Sequence, residues 1–141
     1  MTHEEMARKM DEHFGYEMRD DVAGVLATLA DGVEHDIVGH PAGATSGREA
    51  ARSFYVSLFA DLSDGKVETL RRLYGENFLI DESVWRGRAP GRPFGVEGRG
   101  RPLEFRLLHV VEFAESGGAI QREQVWVDMA AILQQLPQER A

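Results

Sequence analysis

Leu103-Glu104-Phe105-Arg106-Leu107-Leu108-His109-Val110-Val111-Glu112-Phe113-Ala114 reads as a strand, and so do the runs before and after it, Asn77–Arg88 and Ala119–Val127. The first two runs are joined by a connection rich in Gly, Pro and Arg. The last two are joined by the turn Glu115-Ser116-Gly117-Gly118. Alternate side chains of a strand face opposite ways. One face of this unit therefore gathers apolar groups and a few polar ones: Asp81 or Glu82, His109, and Glu123 or Gln124. A concave wall with a few convergent polar groups is how a small-molecule pocket is built.

The rest of the chain supplies the container. Met6, Met10, Phe14 and Met18 recur every four residues, which predicts a helix over 2–18. A second helix is expected over Asp21–Leu29, capped by Asp20 or Asp21, with Asp31-Gly32 as a turn. Val33–Val38 reads as a short strand ending at His40-Pro41. Ser46-Gly47-Arg48-Glu49 has the form of a capping box, and the helix it opens runs to about Ala60. Leu62–Gly65 is expected to be a turn, and Val67–Tyr74 a strand with Val67, Thr69, Arg71 and Leu73 on one side. Asp128 is placed to cap a last helix that Pro137 closes. Helices first and antiparallel strands later predict an α+β fold. We expect a curved antiparallel sheet wrapped around N-terminal helices, forming a cone with a central pocket in one domain over 1–141.

Composition excludes several classes. The 141 residues hold no cysteine, so disulfides and thiolate chemistry are out. A net charge of −8 opposes binding to a phosphate backbone. No apolar run reaches the ~20 residues a membrane span needs, and Met1–Glu5 does not resemble a signal peptide. We therefore expect a cytoplasmic protein with neither nucleic acid nor membrane as partner. Arg86, Arg88, Arg92, Arg99, Arg101 and Arg106 run against the acidic balance. They read as a solvated loop paired with neighbouring acids or, more sharply, as a mouth guiding an anion. The spacing of His35, Asp36 and His40 does not converge on a metal.

Three segments resemble SnoaL-like proteins of the wider NTF2-like group. They are His40-Pro41 with Ser46–Tyr55, the span Ser83–Leu103, and Ile120–Leu136 with its Val127-Asp128 and Leu133-Gln134-Gln135-Leu136. The resemblance covers about residues 10 to 137 and implies the cone-shaped fold. It also implies a cofactor-independent isomerase, cyclase or hydrolase, or a non-catalytic binder, since that fold hosts both. Homodimers through the outer sheet face are common in the group. The resemblance places His40 near a pocket base and His109 where isomerases hold an oxyanion-stabilising acid. It places Val125 where cyclases and epoxide hydrolases carry an aspartate.

The candidate catalytic residues are thus His40, Glu82 and His109. His40 and Glu82 would move protons, and His109 would stabilise an enolate or act as a base. Glu82 is preferred over Asp81 as the inward acid. Phe14, Tyr16, Tyr55, Val84, Trp85, Leu107, Val125, Trp126 and Asp128 are expected around the ligand. That ligand would be an apolar, carbonyl-bearing or polycyclic molecule, bound without a cofactor or metal.

Overall fold

A computed structural model describes residues 1–138. The first helix, α1 (His3–Met18), opens on a capping box. Thr2 Oγ1 accepts from the Glu5 amide at 3.1 Å, and Glu5 Oε2 accepts from the Thr2 amide at 2.9 Å. Met6, Met10 and Phe14 form its buried stripe, as the period of four predicts, and His13 is buried beside them. The second helix, α2 (Val22–Ala27), is capped by Asp21 and is shorter than expected because β1 (Leu29–Val38) begins at once. Asp31-Gly32 lies inside that strand, at an irregularity in its pairing, and is not a separate turn.

A short strand, β2 (Ala44–Ser46), precedes α3 (Arg48–Asp61). The expected Ser46 capping box is absent. Gly47, at φ 91°, is the N-cap and offers no side chain. Ser46 instead pairs with Glu34 in β1. Four long strands follow in outline as expected: β3 (Ser63–Gly75), β4 (Phe78–Ala89), β5 (Arg101–Phe113) and β6 (Ile120–Val127). The expected turn at Leu62–Gly65 is taken up by the start of β3. The last helix, α4 (Met129–Gln135), is capped by Asp128, whose Oδ1 accepts from the Ala131 amide at 3.0 Å.

The six strands lie in the order β2-β1-β6-β5-β4-β3. The sheet is mixed, not wholly antiparallel as expected, because β1 runs parallel to β6. Registers across it define two neighbouring rows on the inner face. One row is Ile37, Val125, His109, Asp81 and Arg72; the next is His35, Glu123, Val111, Leu79 and Tyr74. Same-face neighbours on paired strands sit about 5 Å apart, so each row brings distant residues side by side.

Strict alternation in β3 would turn Thr69, Arg71 and Leu73 one way. A shift in register between Thr69 and Arg71 breaks that pattern. An extra residue in one strand re-aims everything after it. Arg72 therefore pairs with Asp81 and faces in, while Leu73 stands half exposed outside.

Two apolar clusters close the structure. One joins α1, α2 and α3 to Leu79, Val111, Phe113 and Ile120. The other packs Ile132 and Leu136 of α4 with its C-cap against Trp85, Leu103 and Phe105. Each such side chain contributes about 1.5–3 kcal/mol when fully buried. Gln135 pins α4 to β5 by accepting from the Glu104 amide at 2.9 Å and donating to its carbonyl at 2.6 Å. No helix among the described residues is long and apolar enough to cross a membrane.

Candidate functional site

Between the helices and the sheet lies a cavity of about 320 Å³. Phe14 and Glu17 of α1, Phe54 and Tyr55 of α3, and the inner sheet residues His35, Trp85, Leu107, His109, Glu123 and Val125 line it. Trp85 stacks on Phe105 with ring centres 5.4 Å apart and lies directly against Gly65, where a Cβ would come within 2.7 Å of the indole nitrogen.

Expected pocket residues Phe14, Tyr55, Trp85, Leu107 and Val125 are all on this wall. Tyr16 is not, because it packs over Gly24 and under the Arg19 guanidinium. Val84 and Trp126 have the outward parity of their strands, and Trp126 is 49% exposed. Asp128 is spent as a helix cap.

Of the three expected catalytic residues, only His109 lines the cavity. In β4 the inward set is Leu79, Asp81, Ser83 and Trp85, so Asp81 is buried and Glu82 belongs to the opposite face. In β1 the inward residues are Val33, His35 and Ile37. His40 lies beyond the strand, where its Nδ1 accepts from the Ala42 amide at 3.1 Å. Glu82 misses because a strand's parity decides its inner face and a one-residue change inverts it, and His40 misses because β1 ends before it, at Val38.

His109 has a defined polarity. Its Nδ1 is buried, makes no hydrogen bond among the described residues, and lies 3.5 Å from Asp81 Oδ1. Phe14 meets the ring edge-on at 4.9 Å. Asp81 is held by three further groups. Arg72 Nε donates to Oδ2 at 2.7 Å, Thr69 Oγ1 donates to Oδ2 at 3.2 Å, and the Ser83 hydroxyl donates to Oδ1. Burial alone would raise the Asp81 pKa, but the His109, Ser83 and Arg72 contacts outweigh it and bring it down to about 2. A fixed carboxylate at Nδ1 favours the tautomer protonated there and leaves Nε2 as the basic nitrogen.

A second polar cluster surrounds Glu123. Thr28 donates its hydroxyl proton to the Val25 carbonyl at 2.6 Å, so its oxygen accepts from His13 Nδ1 at 2.8 Å. His13 Nε2 faces Glu123 Oε2 at 3.3 Å, the Tyr55 oxygen at 3.4 Å and Glu17 Oε1 at 3.7 Å. With acceptors on both sides, this ring is an imidazolium. Burial opposes that charge, but the carboxylates of Glu123 and Glu17 raise its pKa to about 9.

Burial likewise opposes the Glu123 anion, and the His13 cation overcomes it and holds the carboxyl well below its usual range. Tyr55 donates to Glu123 at 3.2 Å, and burial lifts its own pKa well above the usual value. His35 Nε2 lies 3.5 Å from the Tyr55 oxygen, and burial lowers its pKa. Burial also pushes Glu17 up to about 7.

His13, Glu17 and His35 were absent from the expected site. The signal for the first two lay in α1, where His13 and Glu17 are four residues apart and flank the apolar stripe. The arginines between 86 and 106 do not line the cavity. Arg86 pairs with Glu68 and Glu104, Arg92 pairs with Glu97, and Arg88 donates to the Gly100 carbonyl. No group of three or more acidic, histidine or cysteine side chains among the described residues is arranged to hold a metal.

The family model described as SnoaL-like polyketide cyclase matches residues 5–136. A putative SnoaL-like polyketide cyclase from Jannaschia sp. CCS1 superposes with a TM-score of 0.81 at 15% identity, over 96% of this chain and 93% of that one. AclR, a putative hydroxylase from Streptomyces galilaeus, does so with a TM-score of 0.80 at 14% identity, over 99% and 89%. An LEH-like epoxide hydrolase of M. tuberculosis gives a TM-score of 0.73 at 16% identity, over 94% and 89%. At such identities the likeness is one of fold. No curated protein matches the sequence.

Proposed function

Because the chain belongs to the SnoaL-like polyketide cyclase family, we propose that it is a small-molecule enzyme working by acid/base chemistry without a cofactor. The observation that carries this reading is His109 in the cavity wall with a buried, anionic Asp81 behind it. The ligand is an apolar or polycyclic molecule with a carbonyl group. His109 Nε2 takes a proton from the carbon next to that carbonyl. The electrons of the broken C–H bond move onto the carbonyl oxygen, giving an enolate. Asp81 stabilises the imidazolium so formed. The proton then returns to a different carbon, as in an isomerisation. In a cyclisation the enolate carbon attacks a second carbonyl, and the imidazolium protonates the resulting alkoxide. A group positioned in this way contributes about 10²–10⁴-fold.

Deuterium exchange tests the first step without the natural substrate. In D₂O the protein should catalyse exchange at the α-carbon of cyclic and polycyclic ketones, read by mass spectrometry. His109→Phe should abolish exchange while the circular dichroism spectrum stays unchanged. Exchange at the original rate in that variant would refute the reading.

A second reading is a non-catalytic ligand-binding or protein-interaction module. Val125 favours it. This apolar residue faces His109 across the β5–β6 pair, where the cyclase and epoxide hydrolase patterns place an acid. It predicts ligands that raise the melting temperature and are recovered unaltered.

We further propose a cytoplasmic homodimer joined through the outer sheet face. Leu73, Leu108 and Trp126 are exposed apolar groups with outward parity there. Light scattering should give twice the chain mass, and Trp126→Asp should halve it.

A further inference from the structure

The charges around the cavity do not balance, and the excess has one sign. Its ionisable lining consists of Glu17, Asp20, Asp64 and Glu123 with His35 and His109, and among the described residues no Lys or Arg lines it. Glu123 is matched by the His13 imidazolium at 3.3 Å. Glu17 shares that same imidazolium, at 3.7 Å, and no Lys or Arg among the described residues pairs with it. A buried and a part-buried carboxylate thus share one imidazolium, and burial lowers the His35 pKa, which disfavours a second cation there. Asp20 and Asp64 stand exposed at the mouth, and neither forms an ion pair among the described residues. The walls between are aromatic: Phe14, Phe54, Tyr55, Trp85 and Phe105 all border the space. Ring faces carry partial negative charge and attract cations.

We infer that the ligand of this cavity carries a positive nitrogen, as a protonated amine or quaternary ammonium, on its apolar body. The inference rests on the cavity being the ligand site proposed above, and it narrows the substrate to basic compounds such as keto amines. The nitrogen lies beside Glu17 among the aromatic rings and supplies the charge that His13 alone does not. The carbonyl portion extends toward His109. A carboxylate or phosphate in the same place meets unmatched acids and no cation free to receive it. Burial raises the Glu17 pKa to about 7, so at pH 8 the group is mostly the carboxylate that a cationic nitrogen would meet.

Three probes of one shape separate the classes: benzyltrimethylammonium, its neutral carbon isostere neopentylbenzene, and the anion 3-phenylpropanoate. Titrations at pH 8, followed by the ring signals of Trp85 and His109, should rank the ammonium first by about tenfold over the isostere. The carboxylate should bind weakest. Glu17→Gln should bring the ammonium close to the isostere. The exposed pair Asp20→Asn and Asp64→Asn, which leaves the interior intact, should lower ammonium affinity by a smaller factor and make it less salt-dependent. Equal or tighter binding of the isostere or the carboxylate would overturn the inference. So would an ammonium preference that survives all three substitutions. If the isostere binds without any ammonium preference, the cavity reading stands and only the cationic class falls. If no probe binds and no ketone exchanges its protons, both readings fall together.

Discussion

His13 and His109 are both buried histidines beside a buried carboxylate, yet their surroundings give them opposite uses. His13 is enclosed by acceptors: Thr28 on one nitrogen, and Glu123, Glu17 and Tyr55 on the other. Its proton inventory is full, so it can neither take a proton nor readily lose one. His109 has a carboxylate at Nδ1 alone and stands in the cavity wall. A histidine–carboxylate contact does not by itself mark a catalytic pair. What counts is whether one ring nitrogen remains uncommitted where a ligand can reach it.

The sharpest way to break this contrast is to remove one member from each cluster. His109→Phe should lower catalysed α-proton exchange by about 10²–10⁴-fold and change stability little, because the apolar ring still packs on Phe14. Glu123→Ala should do the reverse in kind. It leaves the His13 charge buried without its main partner, which should cost about 3–5 kcal/mol in urea unfolding. Comparable stability loss in the two variants would erase the distinction.

The pH dependence of folding sharpens the contrast further. His13 has a pKa raised from 6.5 to about 9. Its stabilisation is complete below the unfolded value and fades as pH rises toward 9. Glu17, raised from 4.5 to about 7, also binds its proton more tightly in the folded state. It therefore lowers stability as pH climbs from about 4.5 to 7. Both effects run in one direction, each on the order of a few kcal/mol. Stability should fall from pH 5 to 9, less steeply below about 6.5, where the lowered His35 pKa acts the other way, and Glu17→Gln should flatten the lower half of that fall. A profile unchanged by that substitution would show that Glu17 is not held against its charge. The smallest effect belongs outside both clusters. Asp128→Ala removes a helix cap and should cost about 1 kcal/mol, with exchange activity kept.

Much of the fold was legible because it rests on local rules. The period of four in α1, the Asp128 cap, the turn at Glu115–Gly118, and the three long strands all follow from short-range chemistry. The Ser46 capping box failed because Ser46 was claimed by pairing with β1, a partner distant in sequence. The parallel placement of β1 beside β6 likewise joins segments more than eighty residues apart.

The candidate site was only half legible, for a related reason. His109 could be named because its strand is long and regular. Glu82 was preferred over Asp81 because periodicity gives two faces and does not say which is inside. His35 was passed over because the same ambiguity in β1 hides which of its residues face in. The inward turn of Arg72 depends on a register shift that no local pattern announces.

By itself the sequence determined the long helices and strands in outline, the apolar stripe of the first helix and the presence of a polar strand face, since these depend on neighbours within a few residues. Only the tertiary structure decided that Arg72, Asp81 and His109 form one row, and that His13, Glu17, Tyr55 and Glu123 meet. The physical reason is that charge and proton location are set by what surrounds a group in space. Those surroundings come from helices and strands that the chain brings together only after folding.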